Sequence, residues 1–283
     1  MALQVVKTPA DMLKLSKQWT RDGKSIGFVP TMGALHAGHV SLIERARKEN
    51  DAVAVSIYVN PTQFGPGEDF SKYPRTFDED RKLCEAAGAD AIFAPDTLYG
   101  KDPRIFVDVG ELGDVLCGMS RPGHFRGVAT VVTKLLSIVR PDRAYFGKKD
   151  AQQLLVIEQL VKDLDLGCEI VPCPIVREPD GLAMSSRNRY LSPSERKQAL
   201  CLQKALKYCE TKVAAGERDA MKLMGEMAEI LQKEPDVEMD YIALVDAHTL
   251  VDLKRLRGNV LVAIAAKVGS TRLIDNTSFK NLS

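Results

Sequence analysis

Apolar and polar positions follow two alternating periodicities over the first 175 or so residues of the chain. Short apolar runs predict strands at SIGFVPT, DAVAVSIYV, ADAIFAP, DRAYFG and CEIVPCPIV. Apolar residues at helical spacing predict helices over residues 40–49, 76–87, 125–139 and 151–163, the second of which ends at Gly88. Because strands alternate with helices, we expect a parallel sheet covered on both faces, with the loops after the strands meeting at one edge.

The pattern changes after about residue 178. Two sets of apolar residues at helical spacing predict two successive helices: Leu202, Leu206, Cys209 and Val213, then Leu223, Met224, Met227 and Leu231. Two β runs follow, MDYIALVD and VLVAIAAKVG. The predicted fold class is therefore α/β, with a Rossmann-like parallel-sheet domain over residues 1–178 and a smaller α+β C-terminal domain over residues 179–283. The turn signal Pro179-Asp180-Gly181 places the boundary.

Composition narrows the class of protein. The 283 residues are 45% hydrophobic and carry 39 basic against 38 acidic side chains, without the basic excess of a nucleic-acid-binding protein. No run of 18 apolar residues is present to span a membrane, and the N-terminus lacks the features of a secretory signal. The six cysteines are scattered among apolar neighbours, which favours buried thiols in a reducing cytoplasm.

Two of the four histidines, His36 and His39, fall in one short turn, TMGALHAGH, between the first predicted strand and the helix after it. A helix N-terminus has unpaired backbone N–H groups and a partial positive charge, which together attract phosphate. Gly33 and Gly38 allow a close approach of the backbone to a ligand. Neutral imidazoles donate hydrogen bonds to phosphate oxygens. The alternative is that one histidine caps the turn and the other is solvated.

Polar side chains follow other predicted strands. Asn60 and Gln63 in VNPTQF are neutral amides suited to hydroxyl groups and a carboxylate, although an ordinary Asn-Pro turn explains them equally well. In GLAMSSRNRYLS, Ser185, Ser186 and Arg187 place two hydroxyls and a guanidinium in succession, which suits a phosphate group. Taken alone, that last pattern is common in loops.

The segment YFGKKDAQQ brings Lys148 and Lys149 to the start of a predicted helix. Positive charge is unfavourable at a helix N-terminus unless an anion binds there, so the lysines indicate a phosphate contact. Asp150 and Gln153 resemble a capping box, which is a structural alternative for both.

Two further segments are less specific. Arg121, His124 and Arg126 lie in the Gly/Pro-rich MSRPGHFRG, a loop able to close over an anion. The segment SKYPRTFDED ends in carboxylates, which are side chains able to reach a magnesium ion. A solvated first helical turn is the simpler explanation.

A His-x-Gly-His turn after the first strand and a Met-Ser-Ser-Arg loop after the last resemble the nucleotidylyltransferase superfamily. The motifs PTMGALHAGH, VNPTQF, YPRT, RPGHFRGV, GKKDAQQL, SSRNRYL and TRLIDN then occur in the order found in the pantothenate synthetase (pantoate–β-alanine ligase) family, over residues 30–276. The resemblance covers nearly the whole chain. It implies an ATP-dependent, AMP-forming ligase that condenses (R)-pantoate with β-alanine through a pantoyl adenylate.

The resemblance also assigns roles by position. His39 matches the family's proton donor, and Gln63 and Gln153 match its pantoate ligands, with Gln63 also near β-alanine. Some members have an acid where this chain has Lys148, so Lys149 is the expected phosphate-binding lysine. The catalytic residues implied are His36, His39 and Lys149. The implied ATP-binding residues are Met32, Gly33, Ala34, Leu35, His36, Ala37, Gly38, His39, Gly147, Lys148, Lys149, Asp150, Val176, Met184, Ser185, Ser186 and Arg187.

The resemblance further implies magnesium with the triphosphate, a homodimer, and a C-terminal domain that covers the active site. The sequence identifies no protein ligand of the metal. Two other functions remain open: a nucleotidylyltransferase whose product keeps the nucleotide, and a nucleotide sensor without turnover. The lack of a basic patch and of an appended RNA-binding domain disfavours a role in charging tRNA.

Overall fold

The structure is a computed structural model that describes residues 3–283. The chain forms two compact units. The first contains Met1–Asp114 (described from Leu3), Arg121–Lys148 and Gln152–Pro174, and the second contains Val115–Ser120, Lys149–Ala151 and Ile175–Ser283. The domain division at residues 178 and 179 stays a prediction.

The helices are α1 (Pro9–Arg21), α2 (Ala37–Glu49), α3 (Phe77–Ala86), α4 (Cys117–Ser120), α5 (His124–Val139), α6 (Ala151–Asp163), α7 (Pro193–Ala214) and α8 (Ala220–Leu231). The strands are β1 (Gln4–Val6), β2 (Ile26–Thr31), β3 (Ala52–Ile57), β4 (Ala91–Phe93), β5 (Arg143–Gly147), β6 (Glu169–Cys173), β7 (Val237–Asp246), β8 (Gly258–Val268) and β9 (Thr271–Leu282). Among residues 3–283, none of these helices has the length and apolar character needed to cross a membrane.

The first unit is built on a parallel sheet with strand order β1-β4-β3-β2-β5-β6. Alternate residues of a strand point to opposite faces, and β3 shows this directly. Ala52 and Ala54 belong to the apolar core on one face, while Val53 and Val55 belong to the core on the other. The predicted α/β class, with a parallel sheet buried on both sides, is therefore confirmed.

The second unit has an antiparallel sheet of order β7-β8-β9. Its core combines the inner faces of α7 and α8 with β7 and β8, and includes Leu202, Leu223 and Val262. The side chain of Ser192 accepts from Glu195 N–H at 3.2 Å, and Glu195 in turn accepts from Ser192 N–H at 2.7 Å, so a capping box begins α7. The smaller α+β arrangement predicted from the sequence is confirmed.

Candidate active site

Three of the predicted motifs begin where neighbouring strands of the parallel sheet end, at its carboxyl edge. Strands β3, β2 and β5 are neighbours, and each is followed by one of the motifs VNPTQF, TMGALHAGH and GKKDAQQ. From β2 the chain order runs one way through β3 and the other way through β5. The β2–β5 neighbours therefore form the switch point where ligands bind in open α/β sheets.

His36 and His39 together form a capping box at the N-terminus of α2. His36 is the N-cap, and its Nδ1 accepts from Gly38 N–H at 3.1 Å. His39 Nδ1 accepts from His36 N–H at 3.3 Å, and the two ring centroids are 4.1 Å apart. A neutral imidazole that accepts at Nδ1 carries its proton on Nε2, so the hydrogen bonds assign both rings to the Nε2–H tautomer. Each half-buried ring therefore has a donor at Nε2.

The predicted phosphate site made of unpaired backbone N–H groups is not what the turn contains. The N–H groups of His36 and Gly38 donate to the imidazoles, and that of His39 donates to His36 O at 2.8 Å. The N–H groups of Ala34 and Leu35 donate to Asp80. The turn therefore offers imidazole Nε2–H groups as donors in place of the predicted amides, because these amides already have internal acceptors. The alternative, in which one histidine caps the turn and the other is solvated, is right about capping but wrong about the second ring, because both rings accept a backbone hydrogen bond at Nδ1 and both are half-buried.

Asp80 is a residue whose contribution the sequence analysis missed. It is 1% exposed, its Oδ2 accepts from Ala34 N–H at 3.0 Å, and its Oδ1 accepts from Leu35 N–H at 2.7 Å. Ala34 has a φ of 50°, a left-handed conformation that costs about 1–2 kcal/mol for a residue with a Cβ. The solvated first turn expected for the carboxylates of SKYPRTFDED holds for Asp78 and Glu79, which are exposed, but not for Asp80, whose carboxylate is buried against the backbone of the histidine turn.

Gln63 lies in the 3-10 turn Pro61–Gln63 and is 9% exposed. Its Oε1 accepts from Asn60 Nδ2 at 3.0 Å, and its Nε2 donates to Met32 Sδ at 3.2 Å. A primary amide has two N–H groups and two lone pairs, so these bonds orient the group and leave capacity for a ligand. Gln63 is thus fixed against the turn that carries the histidines.

Asn60 holds the side-chain amide of Gln63 in place. It is 1% exposed, and its Nδ2 donates both to Gln63 Oε1 and to Gly127 O, the latter at 3.2 Å. Its Oδ1 accepts from Thr62 Oγ1 at 3.0 Å and from Tyr99 OH at 2.9 Å. All four hydrogen-bonding positions of the amide are used inside the protein, so the structure favours a positioning role over the predicted contact with substrate.

The predicted anion clamp in MSRPGHFRG has internal partners. Arg121 donates to both carboxylate oxygens of Glu68, at 2.7 and 2.6 Å, and to Gln63 O at 3.2 Å. His124 Nδ1 lies 2.8 Å from the same carbonyl oxygen, and Arg126 stacks on Phe106. Burial alone would raise the pKa of Glu68, but its hydrogen bonds and charge interaction with Arg121 outweigh burial and lower the pKa. The segment therefore ties the loop that contains Glu68 to the Gln63 turn.

The lysine pair occupies the 3-10 turn Lys148–Asp150, which leads directly into α6. Lys148 is exposed, whereas the side chain of Lys149 is only 20% exposed and its Nζ lies 3.6 Å from Asp150 Oδ1. Asp150 thus offsets part of the unfavourable charge from which a bound anion was inferred. Gly147 ends β5, and Gln153 lies half-buried in the first turn of α6.

In the second unit, the predicted ATP residues lie on a tight hairpin and the turn that follows it. Met184 N–H donates to Val176 O at 3.0 Å, and Arg177 pairs with Ala183. Ser185 then caps the 3-10 helix Ser186–Tyr190 by accepting from Arg187 N–H at 3.3 Å. Ser186 is buried, and Met184, Ser185 and Arg187 are half-buried.

The TRLIDN motif, used above only for the resemblance, lies on β9 and organises these segments. Asp275 is 3% exposed and accepts two hydrogen bonds from the Arg177 guanidinium, at 2.7 and 3.0 Å. Asn276 Nδ2 donates to Lys149 O at 2.8 Å. The motif therefore fixes both the hairpin and the main chain of the expected catalytic lysine.

The residues described offer no preformed metal centre: within residues 3–283, no group of three or more His, Cys, Asp or Glu side chains is arranged to hold a metal ion. In the first turn of α3, Asp78 and Glu79 are exposed, and Asp80 is already occupied by backbone N–H groups.

Comparison with known proteins identifies the family. A family model for pantoate-beta-alanine ligase matches residues 4–278. Pantothenate synthetase of Thermotoga petrophila is 54% identical over 277 residues, which cover 97% of this chain and 99% of the relative. That of Acidobacterium capsulatum is 57% identical over 255 residues, with 89% and 85% covered.

Solved structures agree. Pantothenate synthetase from Thermus thermophilus matches with a TM-score of 0.91 and 44% identity over 97% of this chain and 98% of that one. A pantoate-beta-alanine ligase from Francisella tularensis, complexed with beta-gamma ATP and beta-alanine, matches with a TM-score of 0.78 and 33% identity, with 98% and 97% covered. The chain therefore belongs to the pantoate-beta-alanine ligase family.

Proposed function

We propose that this protein catalyses the ATP-dependent condensation of (R)-pantoate with β-alanine, a step in the synthesis of the coenzyme A precursor pantothenate. In the first half-reaction, a pantoate carboxylate oxygen attacks the α-phosphorus of ATP and pyrophosphate leaves. In the second, the β-alanine amine attacks the carbonyl carbon of pantoyl adenylate, AMP leaves, and pantothenate remains after loss of a proton. The observation that carries the proposal is the pair of Nε2–H imidazoles beside an oriented Gln63 amide at the switch point of the sheet.

The imidazoles are proposed to act where negative charge increases. Adenylation places charge between the α- and β-phosphates, and donors already oriented there stabilise the transition state. His36 and His39 provide Nε2–H groups whose rings are fixed by their Nδ1 hydrogen bonds. We propose Lys149 as the third catalytic residue, with its main chain held by Asn276.

The remaining ATP contacts are proposed from the family resemblance of the sequence motifs. The turn before α2 and the segments after β5 and β6 provide backbone, hydroxyl and guanidinium groups. These residues are Met32, Gly33, Ala34, Leu35, Ala37, Gly38, Gly147, Lys148, Asp150, Val176, Met184, Ser185, Ser186 and Arg187. For Ala34 and Leu35, whose N–H groups donate to Asp80, contact with ATP would be through other atoms.

Gln63 and Gln153 are proposed as the pantoate ligands. Both amides follow strands that flank β2, at the edge where the histidine turn also lies. No protein nucleophile is required, because the carboxylate and the amine that attack belong to the substrates. Consistent with this, burial raises the pKa of the Cys84 and Cys168 thiols to about 12, so neither supplies a thiolate near neutral pH.

We propose that magnesium enters bound to the triphosphate of ATP, where it would neutralise part of the phosphate charge. We also propose a homodimer, which light scattering after gel filtration would measure as twice the 31.2 kDa chain mass. The six buried cysteines, each of them a thiol, support the cytoplasm as its compartment, where thiols stay reduced.

The proposal is tested by incubating the protein with magnesium, pantoate and ATP labelled in the α-phosphate, with and without β-alanine, and in a parallel reaction with unlabelled ATP and labelled pyrophosphate. We expect pantoate-dependent exchange of pyrophosphate into ATP without the amine, and release of free labelled AMP together with pantothenate when the amine is added. A released product that keeps the labelled nucleotide even when β-alanine is present, with no free AMP formed, would instead identify the nucleotidylyltransferase alternative. Binding of ATP without either reaction would identify a sensor.

A further inference from the structure

Asp80 lies at the start of α3, far along the chain from the histidine turn, yet it contacts that turn directly. Its Oδ2 accepts from Ala34 N–H at 3.0 Å and its Oδ1 from Leu35 N–H at 2.7 Å. Thr76 Oγ1 approaches Oδ1 at 3.2 Å from the same helix terminus. With 1% of the residue exposed, this carboxylate is a buried group with specific partners rather than part of a solvated helical turn.

The backbone around these contacts has the form of an anion-binding nest. Gly33 and Ala34 have left-handed φ values of 85° and 50°, and the two N–H groups that follow converge on one carboxylate. Such concavities bind phosphate in many nucleotide-binding proteins. The fit here is close, since a Cβ on Gly33 would lie 3.1 Å from Asp80 Oδ2. The protein's own carboxylate thus occupies the place that a phosphate would take.

We infer that Asp80 is a positioning residue for the adenylation step. It fixes the turn immediately before the His36 N-cap, and so fixes where the two imidazole Nε2–H groups lie. It also keeps phosphate away from the Ala34 and Leu35 amides, because a second anion would be repelled there. The nucleotide is then directed to the imidazoles. This inference rests on the proposed function.

The first test uses the wild-type protein and amide hydrogen exchange. The amides of Ala34 and Leu35 should exchange on the order of 100-fold or more slowly than in an unstructured peptide, since they donate to a buried carboxylate. Addition of the unreactive analogue β,γ-methylene-ATP should change their exchange by less than about threefold. Fast exchange without the analogue and protection with it would show that these amides bind the nucleotide, and would overturn the inference.

The second test is the substitution Asp80→Asn, with Asp78→Asn as the matched control. The asparagine side chain has a similar size, but one carboxylate oxygen that accepts a hydrogen bond is replaced by an N–H₂ group. That group would face a backbone N–H, so two donors would oppose each other. We expect Asp80→Asn to lower the kcat of pantoate-dependent ATP–pyrophosphate exchange on the order of 10- to 100-fold, with the pantoate KM within about twofold of wild type. Asp78, which is exposed in the same helical turn, should tolerate the change with kcat within about twofold.

Imidazole nitrogen NMR separates positioning from a purely structural role, and the chain has only four histidines to assign. The wild type should show His36 and His39 as Nε2–H tautomers, and Asp80→Asn should show a mixture. A lower melting temperature with wild-type kcat and unchanged tautomers would mean that Asp80 is only structural. If Asp80→Asn does not fold, the amide hydrogen exchange of the wild-type protein decides whether Ala34 and Leu35 donate to Asp80 or bind the nucleotide. A wild-type protein without any pantoate-dependent ATP–pyrophosphate exchange would contradict the proposed function. The protection of the Ala34 and Leu35 amides from hydrogen exchange would be unaffected by that result.

Discussion

The close approach between two elements at the substrate edge predicts that Gly127→Ala damages pantoate binding. Gly127 lies in α5, one turn from its N-terminus, and faces the Pro61–Gln63 turn. A Cβ there would lie 2.3 Å from Thr62 O, 2.5 Å from Thr62 C and 2.7 Å from Gln63 Cα. Because these are backbone or Cα atoms, no side-chain rotation relieves the clash. Ordinary contact begins at 3.4 Å, so the turn must move by the difference, about 1 Å.

The expected magnitudes follow from two opposing terms. Overpacking of this kind costs about 1–3 kcal/mol, and replacing a helical glycine by alanine returns about 1 kcal/mol. The free energy of unfolding should therefore fall by only about 0–2 kcal/mol. The kinetic effect should be larger, because a displacement of about 1 Å at a substrate-positioning group costs up to about 100-fold. We expect kcat/KM for pantoate to fall by about 10- to 100-fold while the KM for ATP changes little.

Ser137→Ala is the matched control, since Ser137 is exposed on the same helix and its replacement changes helix propensity without a clash. It should gain about 0.5 kcal/mol and keep wild-type kinetics. The single tryptophan, Trp19, is buried in the core that α5 joins, so its fluorescence during urea unfolding follows this unit. If Gly127→Ala matches Ser137→Ala in stability and keeps its pantoate kcat/KM within about twofold, helix α5 does not hold the Gln63 turn as described.

Three further predictions concern single side chains. His39→Ala should lower the adenylation rate about 100-fold or more in single-turnover assays, whereas His248→Ala, an exposed histidine of the second unit, should not; equal rates would remove His39 from the mechanism. Gln63→Ala and Gln153→Ala should each weaken pantoate binding by about 1–3 kcal/mol in calorimetric titrations, and unaltered affinity in both would exclude them as ligands. Four thiols should resist a disulfide reagent at pH 8 and react after denaturation, because burial raises their pKa from 9.0 to about 12. These thiols belong to Cys84, Cys168, Cys201 and Cys209, and labelling of them in the native protein at pH 8 would contradict the prediction. Because the same thiols ionise at lower pH in the unfolded state, the free energy of unfolding should fall as the pH rises from about 9 towards 12.

The strands that the sequence predicts well are those whose burial leaves a simple pattern. DAVAVSIYV predicts β3 because both faces of that strand are covered and the apolar run is almost continuous. Strand β1 is as short as β4, but two of its three residues are exposed, so it leaves no apolar run and is defined by its pairing with β4. Strand β9 was not predicted because polar residues such as Asp275 and Asn276 interrupt it, and both are buried through contacts that the local sequence does not contain.

The same distinction applies to the candidate site. The histidine turn, the Gln63 turn and the lysine turn could be placed at one edge, because parallel strands end together and each motif follows a strand. The roles of Asp80, Asn60 and Asn276 could not be predicted. Asp80 and Asn276 act on main-chain groups that are distant in sequence, and Asn60 joins the nearby Gln63 amide to the distant Gly127 carbonyl. A main-chain donor or acceptor has no residue letter to mark it. Arg121 was misjudged for a related reason, since its carboxylate partner Glu68 is 53 residues away.

The histidine turn shows why the structural and functional explanations of a motif need not compete. Imidazole has two nitrogens, and in His36 and His39 the one nearer the backbone caps α2. Capping then determines the tautomer, and the tautomer leaves a proton on the nitrogen farther from the backbone. The helix dipole disfavours the charged ring at this end, so the donor is preferentially a neutral Nε2–H, which does not depend on protonation of the ring. An asparagine at position 36 would keep the cap but not this donor, which is why stability and adenylation can be separated at this one position.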